Sequence, residues 1–356
     1  MKPRERFVTA LNMGIPDRVP IFEFLFSPKL QEKYVGYKTE LYDGGVIMKL
    51  ATKLGLDAAA VFVGGYAGFE FEHFKTEGDT FVDDWGITYK KSGWPVMVQT
   101  NSIFKNRKDW EKYTMPDPKA SWRFKQIEDA VKENKKDLAV IPGFLGPVTL
   151  MYWYFMDLPT LSVMLYEDPK LIVEICNTYA DWVSDCAKEV IKVGEIDAFL
   201  IGDDWGFSSS LLISPEFLRK YFMKPFGRLV KILKDLGYPV IMHNDGNIWE
   251  VLDDIVETGV NGYHPVEKAA TMDLGIIKKK YKGRLCPIGN VNNKTTMVNG
   301  TPQDVAKETL ECLKIGGPNG GYIIASDHSI HDDIPEENIL TLIETAKKYG
   351  KYPLKI

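Results

Sequence analysis

Eight short apolar runs rich in Val, Ile, Phe and Ala punctuate this chain, and from about residue 138 they alternate with amphipathic stretches of helical length. That alternation favours parallel strands covered by helices. Six of the runs are LAVIPGF (138–144), IDAFLIGDD (196–204), PVIMHND (239–245), NGYHPVE (261–267), RLCPIGN (284–290) and GYIIASDH (321–328), and VPIFEFL (19–25) and AAAVFVGG (58–65) precede them. Eight such strands close a barrel. The predicted fold is therefore α/β: a (β/α)8 TIM barrel formed by residues 1–356 as one domain, with an N-terminal helical extension. Residues 70–105 alternate as antiparallel hairpins, a β-hairpin excursion after the second strand. Helices are expected at 168–194, at 214–237 with Ser214 as cap and Pro215 first, and at 301–316 behind Thr301, Pro302 and Asp304.

With 45% hydrophobic and 26% charged residues, a chain of 356 buries a large core. A formal charge of -5 gives no electrostatic reason to expect a nucleic acid or an anionic membrane as partner. The most apolar stretch, 150–166, is interrupted by Asp157 and Pro159, short of the roughly 20 residues a spanning helix needs. Cys176, Cys186, Cys286 and Cys312 form no CxxC pair, and the first 20 residues lack an export signal, so a reducing, cytoplasmic location is expected.

In a parallel barrel, chemistry sits where the strands end. Here those ends carry Asp203 and Asp204, His243 and Asp245, His264 and Glu267, then Asp327 and His328, with His331 just beyond. His243 and Asp245 are two apart on a strand and so share a face, Glu267 ends the next strand, and His328 closes the ring. Zinc suits such nitrogen and oxygen donors, although hydrogen bonding and loop capping would account for the same residues. Cys286 is a further metal candidate, but about four residues, roughly 13 Å, below its strand end; a small core residue is the alternative. Asp204, His264 and His331 are candidates for proton transfer. Glu23, Phe144, Tyr154, Trp205, Phe207 and Asn290 are candidates for lining a substrate pocket, with helix packing as the other reading of the MYWYF cluster at 151–155.

Several stretches, RERFVTALNMGIPDRVP, DDWGITY, GDDWG, MHNDGNIWEVLDDIVETGVNGYHPVE, PIGNV and DHSIHDDIPEENI, resemble the uroporphyrinogen decarboxylase superfamily over nearly the whole length. The resemblance implies the barrel and a homodimer. Decarboxylases of that superfamily hold their substrate's carboxylates with an arginine-rich motif close to RQAGR after the first strand. This chain has FEFLFSP there, with no arginine between Arg18 and Arg107, and unpaired carboxylates are costly to bury.

The methyl-transfer branch is the nearer match. Cobalamin-independent methionine synthase and methylcobamide:coenzyme M methyltransferases bind zinc through His-x-Cys and a distant Cys, where this chain has His243-x-Asp245. Carried over, the ligands are His243, Glu267 and His328, with Asp245 and His328 in place of thiolates. Ether-cleaving methyltransferases of anaerobes, which use carboxylates with one Cys, would instead suggest Asp245, Glu267 and Cys286. The resemblance then implies a Zn2+-dependent O-demethylase component that moves a methyl group from a small aromatic ether to the Co(I) of a separate corrinoid protein. Methyl transfer from a methylcorrinoid to a thiol or pterin, and a metal-free binding barrel, are the alternatives.

Overall fold

The computed structural model describes residues 1–37, 39, 42–65, 75–91 and 97–356. Its central sheet has six parallel strands in the order β1 (Ala58–Phe62), β6 (Ala139–Leu145), β7 (Phe199–Gly202), β8 (Val240–His243), β9 (Gly262–His264) and β10 (Cys286–Pro287). Between β1 and β6 in the chain lie β2 (Lys75–Glu77), β3 (Thr80–Val82), β4 (Thr88–Lys91) and β5 (Met97–Gln99), a four-stranded antiparallel sheet. These are the expected hairpins; residues 70–74 and 92–96 of that segment lie outside the described residues.

The first and eighth expected strands close the ring as extended segments joined by single bridges. Ile288 and Val291 pair with Ile323 and Ser326, and Ile21 and Leu25 pair with Ile324 and Ile330, all parallel. Asp57 N–H completes the circuit by donating to Ile21 C=O at 2.9 Å. These two segments are less regular than the sequence suggests because side chains replace ladder acceptors. Ile21 N–H donates to the Asp57 carboxylate (2.8 Å) and Ser326 N–H to the Glu23 carboxyl (2.8 Å). The seventh strand is also shorter than expected, since Pro287 has no N–H to donate.

Helices cover the outside, as their caps predict. Asp168 and Pro169 open Pro169–Val193, and Thr301 and Asp304 form a capping box ahead of Pro302–Gly316. Ser214 accepts from Phe217 N–H where the third expected helix starts; that helix runs to Asp235 through a π-helical turn at Leu218–Phe222.

Side-chain alternation splits the core in two. The larger cluster lies between the strands and the helices. The smaller one draws alternate residues from seven of the eight walls: Phe22 and Phe24, Ala58 and Ala60, Ala139 and Ile141, Ala198 and Leu200, Ile241, Cys286 and Ile288, Ile323 and Ala325. These residues fill the barrel interior, and Phe7, Ala10 and Leu11 of the helix Pro3–Leu11 pack with them. Each large apolar side chain buried in this way contributes about 1.5–3 kcal/mol. Above this layer the same inward phase continues into Gly202, His243 and His264, so the interior packing determines which polar residues face the mouth.

Candidate metal centre at the barrel mouth

The inward phase brings together Asp204, His243 and Asp245, each offering one ligand atom within 4.8 Å of the others. His243 Nε2 lies 3.6 Å from Asp245 Oδ2 and 3.9 Å from Asp204 Oδ1. His328 Nε2 approaches Asp245 Oδ2 from the eighth segment at 3.3 Å. Asp245 Oδ1 is buried and has no hydrogen-bond partner. A buried carboxylate oxygen left unpaired among imidazoles is costly unless a cation joins it, so the donor set fits a divalent ion that favours nitrogen and oxygen ligands.

The HNDG turn builds this corner residue by residue. His243 and Asp245 point inward. Asn244 between them is fully buried, its Oδ1 accepting from Trp205 N–H at 2.7 Å and its amide donating to Asp245 C=O at 2.9 Å. Gly246 has φ 96°, and a Cβ there would lie 2.4 Å from Gly206 O. Only glycine permits that approach. Asp245 N–H donates to Asp204 Oδ1 at 2.9 Å and Asp204 N–H to Thr149 Oγ1 at 2.7 Å, holding the two carboxylates side by side.

Electrostatics follows from this packing. Burial and the neighbouring Asp245 push Asp204 up to about 6, His243 working the other way. Burial opposes ionisation of Asp245 as well, but His243 and His328 outweigh it and hold that carboxyl far below the usual range. Its hydrogen bond with Asp245 lifts His328 to about 9. Burial favours neutral His243, yet Asp245 and Asp204 raise it.

The other expected site residues are not part of this close group. Glu267 stands beside the cluster, but its Oε2 accepts from Gly246 N–H at 2.5 Å, so it supports the turn. Burial raises it. Cys286 lies fully buried in the inner core, its Sγ 3.9 Å from Pro287 O, and is not brought to the cluster. His264 is fully buried beside His243, and His331 stands outside the cluster near Asp333.

The pocket candidates on the first, third and fourth strands carry a phase error of one residue. Glu23 faces Ser326, away from the interior, and burial pushes it up to about 8. Phe144 and Trp205 belong to the outer core, against Phe199 and Phe226. Asn290 donates to Val266 C=O at 2.6 Å and is structural. Phe207 is 55% exposed, and Tyr154 packs against the outer core.

The inward residues missed from the first strand are aromatic. Phe24 stacks on Phe26 (5.5 Å, 20°) and stands 5.0 Å from the His243 ring and 6.3 Å from Phe62. Alternation in IFEFLF was the available signal, because if Phe22 packs inside, Phe24 and Phe26 do too.

Comparison with known proteins places this geometry in a family. The model of uroporphyrinogen decarboxylase (URO-D) matches residues 85–349. Among curated relatives, a uroporphyrinogen decarboxylase from Azoarcus sp. is 26% identical over 257 residues, 69% of each chain. The methylcobamide:CoM methyltransferase MtbA of Methanosarcina acetivorans is 24% identical over 254 residues, 69% of this chain and 70% of that one. A solved methyltransferase from Methanosarcina mazei superimposes with a TM-score of 0.75 at 19% identity, covering 98% of this chain and 99% of its own. A putative vitamin-B12 independent methionine synthase from Listeria monocytogenes gives 0.54 at 14% identity, over 94% and 98%. Barrel, mouth and a family match spanning well over half of its residues together make this chain a member of the uroporphyrinogen decarboxylase family.

Proposed function

We propose that the chain is a zinc-dependent methyltransferase that passes a methyl group from a small aromatic methyl ether to the Co(I) of a separate corrinoid protein. The carrying observation is the Asp204, His243 and Asp245 cluster beside the aromatic wall of Phe24, Phe26 and Phe62. Asp204 and Asp245 supply two negative charges, and His243 supplies a nitrogen. When bound there, Zn2+ supplies Lewis-acid polarisation of an ether oxygen. The Phe24–Phe26 stack offers a flat apolar face for the donor's ring. His328, about half exposed and hydrogen-bonded to Asp245, holds a proton on Nε2 near neutrality. In the reaction the methyl–oxygen bond breaks, both its electrons stay on oxygen, the methyl group bonds to Co(I), and the departing oxygen takes the His328 proton.

Porphyrinogen decarboxylation is disfavoured by the arginines. All eight are paired with carboxylates of this chain: Arg4 with Glu195, Arg6 and Arg18 with Asp57, Arg107 with Asp168, Arg123 with Asp84, Arg219 with Asp254, Arg228 with Asp181 and Arg284 with Glu257. No arginine is left to receive a polycarboxylate. Methyl transfer from a methylcorrinoid to a thiol is the second reading, drawn from the Methanosarcina acetivorans relative. The absence of a cysteine from the cluster weighs against it, since thiolate ligands keep a bound thiol nucleophilic. The test is methylation of a Co(I) corrinoid protein by a panel of methoxybenzenes, with phenol release measured alongside zinc content. Stoichiometric phenol and methylcorrinoid support the reading. Full activity in zinc-free protein overturns it.

A further inference from the structure

His264 has no role in the chemistry above, and its position asks for one. Parallel register pairs His243 of β8 with His264 of β9, so two inward imidazoles stand side by side with their Nδ1 atoms 2.8 Å apart. A contact this short between two ring nitrogens needs one shared proton, donated by one ring and accepted by the other. The other edge of His264 is enclosed. Its Nε2 has no hydrogen-bond partner, and its ring meets Phe24 at 4.7 Å and 62° and Phe22 at 5.3 Å and 78°.

Two arrangements satisfy the Nδ1 contact, and the surroundings of His243 choose between them. His243 Nε2 faces Asp245 Oδ2 and Asp204 Oδ1, two carboxylate oxygens that make this position favourable for a cation. Once a metal occupies Nε2, the neutral His243 ring has its proton on Nδ1, and His264 can only accept. His264 then carries its own proton on Nε2, on a ring packed against Phe22 and Phe24, where an N–H finds weak attraction and a bare lone pair finds none.

We infer that His264 is a positioning residue: its Nδ1 accepts the proton of His243 Nδ1 and so holds the imidazole with Nε2 turned to Asp204 and Asp245. Ligating histidines commonly direct their second N–H to a carboxylate or carbonyl; here a second imidazole serves. The inference rests on the proposed metal site for the occupant of Nε2, while the paired rings stand on geometry alone.

The experiment combines 15N spectra of histidine-labelled protein with zinc-binding titrations of His264→Asn and His264→Leu. The Asn Oδ1 can take the place of Nδ1 as acceptor, whereas Leu cannot. In zinc-loaded wild type, the expected spectrum shows the shared proton on His243 Nδ1 and the other proton on His264 Nε2. His264→Leu should weaken zinc binding by about 10- to 100-fold, and His264→Asn should recover most of that loss. A proton on His264 Nδ1 in the loaded protein overturns the inference, as does an equal effect of Leu and Asn, including no effect of either. Wild-type protein that takes up no zinc refutes the metal reading instead. The metal-free spectrum then decides the pair by itself: the shared proton on His243 Nδ1 sustains the inference, and on His264 Nδ1 overturns it.

Discussion

Replacing Asp57 by alanine is predicted to cost about 3–5 kcal/mol of folding stability. Asp57 is fully buried at the joint where the first segment of the barrel meets β1. Its Oδ1 accepts from Arg6 Nη1 (2.6 Å) and Arg18 Nη2 (3.0 Å), and its Oδ2 from Arg18 Nη1 (2.8 Å) and Ile21 N–H (2.8 Å). Alanine leaves two guanidinium groups and a backbone donor without their acceptor, and a stranded buried donor alone costs about 1–3 kcal/mol. These losses do not add in full, because Arg6 keeps Asp17 at 2.6 Å and Arg18 keeps Val19 C=O at 2.9 Å. Breaking a buried charge pair by removing one partner sets the scale at about 3–5 kcal/mol, a fifth or more of the roughly 5–15 kcal/mol a native protein holds. Urea denaturation followed by tryptophan fluorescence and by circular dichroism measures it, provided the two transitions coincide. Asp57→Asn, which keeps an acceptor for Ile21, should lose less. A loss below about 1 kcal/mol for Asp57→Ala, the scale of an exposed pair, would refute the reasoning.

Glu23 should be protonated in the folded protein near neutrality. Ser326 Oγ lies 2.7 Å from Glu23 Oε2 and 2.6 Å from His328 C=O; its single proton serves the carbonyl, so the carboxyl supplies the other. The folded pKa is about 8 against 4.5 for a free Glu, so wild-type stability should fall as pH rises through that window, and Glu23→Gln should remove this slope; parallel wild-type and variant profiles would contradict it. His243→Ala and Asp204→Ala should lose bound zinc while Cys286→Ala keeps it, as read by metal analysis; loss confined to the cysteine variant would reverse the ligand assignment. In metal-free protein, Asp245→Asn should lower the His328 titration from about 9 toward 6.5, followed by imidazole NMR; an unchanged midpoint would show that Asp245 does not hold the His328 proton.

The architecture was readable because parallel strands and their helical covers leave two distinct periods in the chain, and Ser214–Pro215 and Thr301–Asp304 mark where helices begin. Exact strand extent was not, since Asp57 and Glu23 accept from backbone N–H groups that a regular ladder would have used. Of the site, His243 and Asp245 were legible because a turn that needs Gly246 pins the phase of their strand. Phase is not legible on the first, third and fourth strands: Glu23, Phe144 and Trp205 each point away from the interior, and Phe24 and Phe26 point into it. Asp204 reads as a proton-transfer candidate because charge at a strand end is visible in sequence; that its backbone and carboxyl are tied to Thr149 and Asp245 is not. The opening RERF…PDRVP, which reads as a family signature, has a structural cause in the Arg6, Asp17, Arg18 and Asp57 network.

X-ray absorption at the zinc edge of the purified, metal-loaded protein reads the ligand shell at the barrel mouth. The expected shell is nitrogen and oxygen alone at about 2.0–2.2 Å, with an imidazole scattering pattern from His243 that disappears in His243→Ala. Sulfur at about 2.3 Å, or protein that binds no zinc at all, would contradict it.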